Sequence, residues 1–341
     1  MKNDSIKNRY EFIALVQSVN CNPNGDPDMG NLPRQDPDTE FGYITDVAVK
    51  RRIRNYVDDA FIGRPYMDIL AKNGVSINRK IAESVFAVNG IDKIEANNWE
   101  NKKVKESTED MLKKYWDLRA FGGVLSTGLN AGQIRGAVQI GIASSVDPIQ
   151  PENISITRMY YADGKDFKTL NEYAQEEGSR PSDKKRTMGN KAFIPYGLYV
   201  VKGTISANLA EKTHFTEADL DALFEAILQM YNHDVSSSKA GMSVIAPLII
   251  FKHIGTQTVD NIEQNEREAK LGCAPAYRLF DLLHIRKKDG VTYPRNISDY
   301  NIQLALSELP KGVALGLKMA PFEEVIWDTA VGSRYEVLDL T

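Results

Sequence analysis

Residues 10–19 read YEFIALVQSV, a run with aromatic or aliphatic side chains at both odd and even positions. A strand points successive side chains to opposite faces, so a run that is apolar on both can be hidden only in a sheet covered on both sides. The chain must therefore supply a layer on each side of one buried strand. Residues 22–38 follow as NPNGDPDMGNLPRQDPD, with four prolines and two glycines. Proline lacks the N–H that a helix interior or a central strand requires, which makes this stretch a surface loop. Thr45 and Asp46 then offer side-chain oxygens to cap a helix, and Val49, Ile53, Tyr56, Val57 and Ala60 recur at the spacing of one buried helical face.

The same helix carries Lys50 and Arg54 together on one flank of its apolar face, Arg51 beside them and Arg52 on the other flank. From Lys50 onward no acid occurs until Asp58, which leaves a positive field that a phosphate backbone can use. Charge runs are usually solvating, so on charge alone an ordinary solvated helix face stands ahead of a phosphate-binding one. The net charge of −4 speaks against a dedicated duplex-binding domain. Its distribution is more telling. Cations gather at residues 50–54, 180–191 and 286–288, and acids at 26–40, 106–110 and 217–225. That segregation fits one anionic partner in a groove and acidic surfaces elsewhere.

With 341 residues and 42% hydrophobic content the chain can bury a sizeable core. No stretch reaches the roughly 18 consecutive apolar residues of a membrane span, and MKNDSIKNR lacks the apolar core of a signal peptide, so a cytoplasmic location is expected. The two cysteines and four histidines are scattered without metal-type spacing, and neither a metal nor another cofactor is expected.

Residues 62–118 are polar and mixed and read as an insertion, with a helix from about Glu106 to Leu118. Residues 121–149, FGGVLSTGLNAGQIRGAVQIGIASSVDPI, carry five glycines ahead of the dipeptide at 141–142 and lead into a strand near Ala137. Glycines at that density mark close backbone approach. The P-loop template fails, because Leu129 and Asn130 stand where Lys and Ser/Thr must hold phosphate and magnesium, and the spacing is also wrong for a dinucleotide fingerprint. What remains is a loop with Ser126, Thr127, Asn130, Gln133 and Arg135 as donors to an extended anion, or an ordinary loop packed under the sheet.

A strand at ISITRMYY leads into residues 162–191, almost free of aliphatic residues and too long for a routine connection. This segment leaves one strand and returns in the next, FIPYGLYVVKGTISANL, so it projects from the sheet as a loop. Thr216 and Asp219 form a capping-box variant ahead of a stripe of Leu220, Leu223, Phe224, Ile227, Leu228 and Tyr231. The loop VSSSKAG, a buried strand SVIAPLIIFKH, helices at YRLFDLLH and Asp299–Leu306, and a strand GVALGLKM complete the chain. The order of elements is that of an α+β ferredoxin-like domain with long insertions.

Five separated segments now add up. The loop and helix at 22–57, the glycine segment 121–149, the junction ITRM, the run MGNKAFIPYGLYVVKGTISANLAEKT and LIIFKHIG resemble the repeated backbone subunit of the type I-C CRISPR Cascade, a member of the repeat-associated RNA-binding superfamily. The resemblance runs from Tyr10 to about Lys318. It implies a ferredoxin-like or RRM-like palm within a single domain over 1–341, a helical finger insertion at 62–118 and a thumb loop at 160–191. It also implies a non-catalytic protein of antiviral defence that polymerises head to tail along a crRNA guide. Its partners would be the crRNA, further copies of itself, other Cascade subunits, and target DNA through guide pairing.

By motif position, the resemblance assigns RNA-backbone contact to Asn24, Gly25, Lys50, Arg51 and Arg54. It extends this to Gly122, Gly123, Asn130, Gln133 and Arg135 in the glycine segment, to Ser237 and Lys239, and to Met188 and Lys191 on the thumb. In the thumb, Asn190 and Ala192 stand where the family pattern carries a basic residue and a histidine. The stacking-aromatic signature of RNA-reading RRM sheets is absent, which suits a guide whose bases must stay free to pair.

The rival reading is a metal-dependent RNA endonuclease that uses one of Asp26, Asp28, Asp36 or Asp38, since related subunits of type III complexes cut RNA with an aspartate in this loop. Aspartates between prolines are also common turn formers. A calcium loop fails, because Gly30 falls one place late and Gln35 stands where a bidentate glutamate belongs. No nucleophile with an identifiable base emerges from spacing.

Overall fold

The structure, a computed structural model, describes residues 5–95, 99–162, 166–256, 261–328 and 338–339. The expected finger insertion 62–118 and the expected thumb loop 160–191 therefore each include three residues, 96–98 and 163–165, outside the described set.

The first strand β1 spans Tyr10–Cys21; the loop behind it forms a small hairpin, β2 Gly25–Asp26 with β3 Leu32–Pro33, before β4 Phe41–Ile44 and helix α1 Asp46–Ala60. Helices α2 Ile77–Asn89, α3 Val104–Lys114 and α4 Trp116–Phe121 come next. The glycine segment folds as a hairpin of β5 Gly122–Val124 and β6 Gln133–Arg135, followed by β7 Val138–Ile140, β8 Ala143–Pro148 and β9 Glu152–Arg158. Then follow α5 Leu170–Ser179, β10 Thr187–Ile205, α6 Ala207–Thr213, α7 Glu217–His233 and β11 Met242–His253. The last part holds α8 Ile262–Leu271, α9 Ala276–Phe280, β12 Leu283–Lys287, β13 Tyr300–Leu304, β14 Val313–Lys318, β15 Ile326–Asp328 and β16 Leu338–Asp339.

A nine-stranded antiparallel sheet runs in the order β15-β14-β11-β1-β10-β8-β4, with β7 and β9 also pairing with β10. Two-sided burial of β1 follows from its sequence. Tyr10, Phe12, Ala14 and Val16 enter the core beneath α1 and α7, while Ile13 and Leu15 enter clusters formed with β12, β13 and α9 on the other side. Gly203 lies opposite Phe12, where a Cβ would come within 2.2 Å of the ring, so glycine makes room for the Phe12 ring. The six apolar residues of the α7 stripe are all buried, each contributing about 1.5–3 kcal/mol. The Thr216–Asp219 capping box forms at its start.

The strand β10 is the spine of the fold. Its C-terminal half pairs with β1, and its first seven residues pair instead with β9 as a two-stranded arm. The stretch expected as a thumb loop is thus a β-hairpin arm with α5 near its tip. Local hydrogen bonding supplies the order there: Thr169 caps α5, and the Arg180 guanidinium lies 3.8 Å from the Tyr161 ring centroid. The expectation of a helix at Asp299–Leu306 also fails. Tyr300, Ile302 and Leu304 are buried and Asn301 and Gln303 exposed, a period of two that makes this a strand, β13. The helix expected at YRLFDLLH is confined to Ala276–Phe280, and β12 begins at Leu283.

Helices α2 and α3 close over their own core of Leu70, Ile81, Val85, Met111 and Leu112, which continues into Leu118, Leu125 and Ala131. The packing unit that begins in 62–118 therefore extends through the β5–β6 hairpin.

Candidate nucleic-acid interface

The N-terminus of α1 is fixed from the loop before it. Asn24 Oδ1 accepts from both the amide (2.9 Å) and the hydroxyl (3.1 Å) of Thr45, the residue that caps α1. Gly25 is needed within this loop, since a Cβ there would fall 2.0 Å from Asn31 Oδ1. From the other side, Lys239 Nζ donates to the carbonyls of Asn22 and Pro23 at 2.5 Å each, with Ser237 exposed in the same turn. Burial, with a smaller push from Arg52, lowers the Lys239 pKa to about 8.

Most cations of α1 have acidic partners. Lys50 pairs with Asp46 at 2.8 Å, Arg52 with Asp234 at 2.6 Å and Arg54 with Asp117 at 2.8 Å. Hydrogen bonding from Lys50 is the main reason the Asp46 carboxyl titrates below its usual range. The Phe121 ring lies under both Lys50 and Arg54, at 5.9 and 5.0 Å from its centroid. Among the described residues Arg51 has no ion pair; it lines an open cleft of about 390 Å³ shared with Arg54, Asn55, Lys72 and His233.

Phe121 also joins α1 to the glycine hairpin that starts at the next residue. Gly122 takes φ +75°, and a Cβ on it would fall 2.4 Å from the Ile134 carbonyl oxygen, while one on Gly136 would fall 2.3 Å from the Gly122 nitrogen. Two backbones touch here, which only glycine permits. Gly123 sits at the hairpin base against Leu118. On β6, Ile134 packs on the core under α2 and α3, and Gln133 and Arg135, two residues apart, are exposed on the opposite face. Asn130 is exposed and closes its turn by accepting the Gly132 amide.

Two of the four aspartates of the 22–38 loop, Asp26 and Asp36, use their side chains to shape it, and Asp28 and Asp38 contribute backbone amides. Asp26 accepts the Asp28 amide and pairs with Arg34 at 3.0 Å. Asp36 accepts from the amide and hydroxyl of Thr39, and from the Asp38 amide, bonds that lower its pKa.

Residues 8–305 match the sequence model of the family described as CRISPR-associated protein Cas7. A protein of that description from Haloferax volcanii is 31% identical over 249 residues, covering 69% of this chain and 67% of its own. The chain belongs to the Cas7 family. Two chains from structures described as a CRISPR RNA-guided surveillance complex, one of them pre-nicking, overlay this Cas7 fold with TM-scores of 0.45 and 0.39. They are 15% and 14% identical, over 80% of this chain and 85% and 80% of theirs.

In this Cas7 chain the fold gathers Asn24, Gly25, Lys50, Arg51, Arg54, Gly122, Gly123, Ser237 and Lys239 around α1 and the C-terminal end of β1. The arm leaves the sheet at that same end, where Cys21 pairs with Ile194. Met188 and Lys191, three residues apart on one strand, project from opposite faces of the arm. The Lys191 face also carries Arg158, a cation that sequence reading passed over. The alternation in ISITR, with Ile154, Ile156 and Arg158 at even positions, is the signal that could have found it. Among the described residues no helix is long and apolar enough to cross a membrane.

Proposed function

We propose that this Cas7 chain is a non-catalytic crRNA-binding backbone subunit of a type I-C CRISPR Cascade, working in the cytoplasm. Copies stack head to tail along one guide and bind other Cascade subunits, and the guide bases stay free to pair with target DNA. Family membership over residues 8–305 is the observation that carries this reading. Topology supports a ferredoxin-like palm: β11-β1-β10-β8 are neighbours in that order, with α1 and α7 packed on one face, as in a βαββαβ unit. Residues 62–118 act as the finger and 160–191 as the thumb.

Within this reading Arg51, Gln133, Arg135 and Lys191 grip the sugar-phosphate backbone with side chains that have room to do so. Lys50 and Arg54 add a weaker field through their paired acids. Asn24, Gly25, Gly122, Gly123, Asn130, Ser237 and Lys239 set the shape of the loops that the guide follows. On the arm, Lys191 with Arg158 meets phosphate from one face, and Met188 projects as an apolar wedge from the other.

The test is light scattering of the purified protein with single-stranded RNAs of increasing length, the RNA being recovered and sized afterwards. Mass that climbs in steps with RNA length, on intact RNA, is the expected result. RNA cut at regular intervals in magnesium would replace it with an endonuclease using the 22–38 aspartates, and no RNA-dependent mass at all would leave a protein–protein assembly role.

A further inference from the structure

The far end of the arm carries chemistry that the RNA reading does not use. An open cavity of about 520 Å³ lies between the end of β9 and helix α5. Among the described residues, Tyr173, Glu176 and Glu177 line it from one face of α5, three and four residues apart, and Tyr160, Asp166 and Phe167 line it from the chain before the helix. The Phe167 and Tyr173 rings meet edge to face at 5.1 Å, and Tyr160 is 62% exposed. Helix α5 buries none of its residues. Rings left this open, with no core behind them, mark a contact surface.

The chain itself shows what such a surface holds. The Arg180 guanidinium stacks 3.8 Å from the Tyr161 ring centroid and pairs with Glu176 Oε1 at 3.1 Å, and the Tyr161 hydroxyl donates to Glu176 Oε2 at 3.0 Å. That uses one ring and one carboxylate. Among the described residues Tyr160, Phe167 and Tyr173 have no cation over them, Asp166 and Glu177 have no ion pair, and Lys185 is the one cation in the cavity wall. We propose that the cavity is a binding site for a second guanidinium, the side chain of an arginine carried by a partner protein. The negative ring faces attract the cation, and Glu177 or Asp166 accepts its N–H groups. A guanidinium is planar and weakly hydrated, so it lies flat on a ring while its edge meets a carboxylate, the pose that Arg180 already adopts; a compact, strongly hydrated ammonium gains less. A phosphate brought here would meet three carboxylates and one ammonium, whereas along the strands of the arm it meets Arg158 and Lys191. The arm is thus divided, its stem fitted to a polyanion and its tip to a cation. Met159, 73% exposed beside Tyr160, gives the cavity an apolar rim that the chain carrying the arginine covers and a small free cation leaves bare. The contact lies outside the residues assigned to the guide and stands even if those bind no RNA.

The test uses the full chain with fluorotyrosine in place of tyrosine, the fluorine NMR signals of Tyr160 and Tyr173 being assigned from Tyr160→Phe and Tyr173→Phe. On titration with N-acetylarginine methylamide at fixed ionic strength both signals should shift saturably. N-acetylcitrulline methylamide, of the same shape without the charge, should bind about 10-fold more weakly. The double variant Asp166→Asn, Glu177→Gln changes two exposed side chains, so it should keep the wild-type melting curve and lower the affinity for the arginine probe about 5-fold. Signals that move on concentrating the protein alone, and that the arginine probe reverses, support the same site with a second copy as the partner. No shift at either tyrosine, or equal binding of the two probes, overturns the proposal. Unchanged affinity in the folded double variant overturns the role of the carboxylates. Spermidine that binds as well as the arginine probe would leave a site for any free amine, and single-stranded RNA that displaces the probe would put nucleic acid at the tip; either result overturns the assignment to a protein arginine.

Discussion

Two sets of cations on this molecule have opposite surroundings. Those on α1 sit against the main sheet, half covered, each of Lys50, Arg52 and Arg54 within 2.8 Å of a carboxylate. Arg135 on the hairpin and Lys191 on the arm are carried by two-stranded elements and have no ion pair among the described residues. Both sets look alike as sequence, but their physics differs. A cation whose field is already compensated by an acid gives up that pairing, or shares it, before it can neutralise a phosphate, and counterion release counts only phosphates actually neutralised. The palm cations should hold the fold, and the projecting ones should hold the ligand.

The largest effect expected from this contrast belongs to Arg119, the most enclosed cation. Both it and Asp219 are 3% exposed, joined by two bonds of 2.6 and 3.0 Å that tie α4 to the cap of α7, and Arg119 also donates to the carbonyls of Leu112 and Tyr66. Arg119→Ala strands Asp219 in the core and should cost about 3–5 kcal/mol, read from the urea unfolding midpoint. A midpoint that barely moves would show the buried pair to be dispensable. Arg54→Ala comes next. Asp117, 2% exposed, would keep only the amides of Leu70 and Ala71 at 2.7 and 3.2 Å. A loss of about 1–3 kcal/mol is expected, with a drop in the RNA salt slope of well under one unit. If the slope falls by a full unit while stability is untouched, the contrast between palm and arm collapses.

How far these roles were legible depends on the separation of the partners in the chain. The bounds of β1 and α1 and the capping box of α7 follow from local pattern, and each formed where its residues indicated. The acid of Lys50 is four residues upstream, within reach of helical spacing. Those of Arg54 and Arg52 lie 63 and 182 positions away, so no window of sequence could show that the run of cations is neutralised. The arm hid for a related reason. With no aliphatic core of its own, it reads as loop, and its order comes from the backbone ladder that the long strand β10 extends beyond the sheet. Residues 299–306 were misread because five residues of alternating burial are too few to outweigh a helical spacing.

The projecting cations give a smaller effect of another kind. Arg135→Ala and Lys191→Ala should leave stability within about 0.5 kcal/mol, since neither side chain is part of a buried network. Each should lower the slope of log affinity against log salt by about one unit, uniformly across RNA sequences. Arg51→Ala is the informative intermediate, because it sits on α1 yet has no ion pair among the described residues. A slope change there equal to that of Arg135 would show that pairing, and not location in palm or arm, decides which cations bind.

Lys239 carries the effect with the sharpest sign. It is held by carbonyls instead of a carboxylate, and burial lowers its pKa to about 8 from the ordinary 10.5. A neutral amine still has two N–H donors, enough for the carbonyls of Asn22 and Pro23, so the folded chain can shed the proton without losing either bond. Between about pH 8 and 10.5 the unfolded chain then binds more protons than the folded one, and stability from this residue rises with pH across that window. The melting temperature of the wild type minus that of Lys239→Gln, which cancels the other titrating groups, should rise by about 2 °C from pH 7 to pH 10. The same variant should leave the RNA salt slope unchanged, because an amine turned onto two backbone carbonyls has little charge to offer a phosphate. A difference that stays flat with pH would mean that the ammonium is hydrated in the folded chain, and Lys239 would then join Arg51 among the cations free to bind.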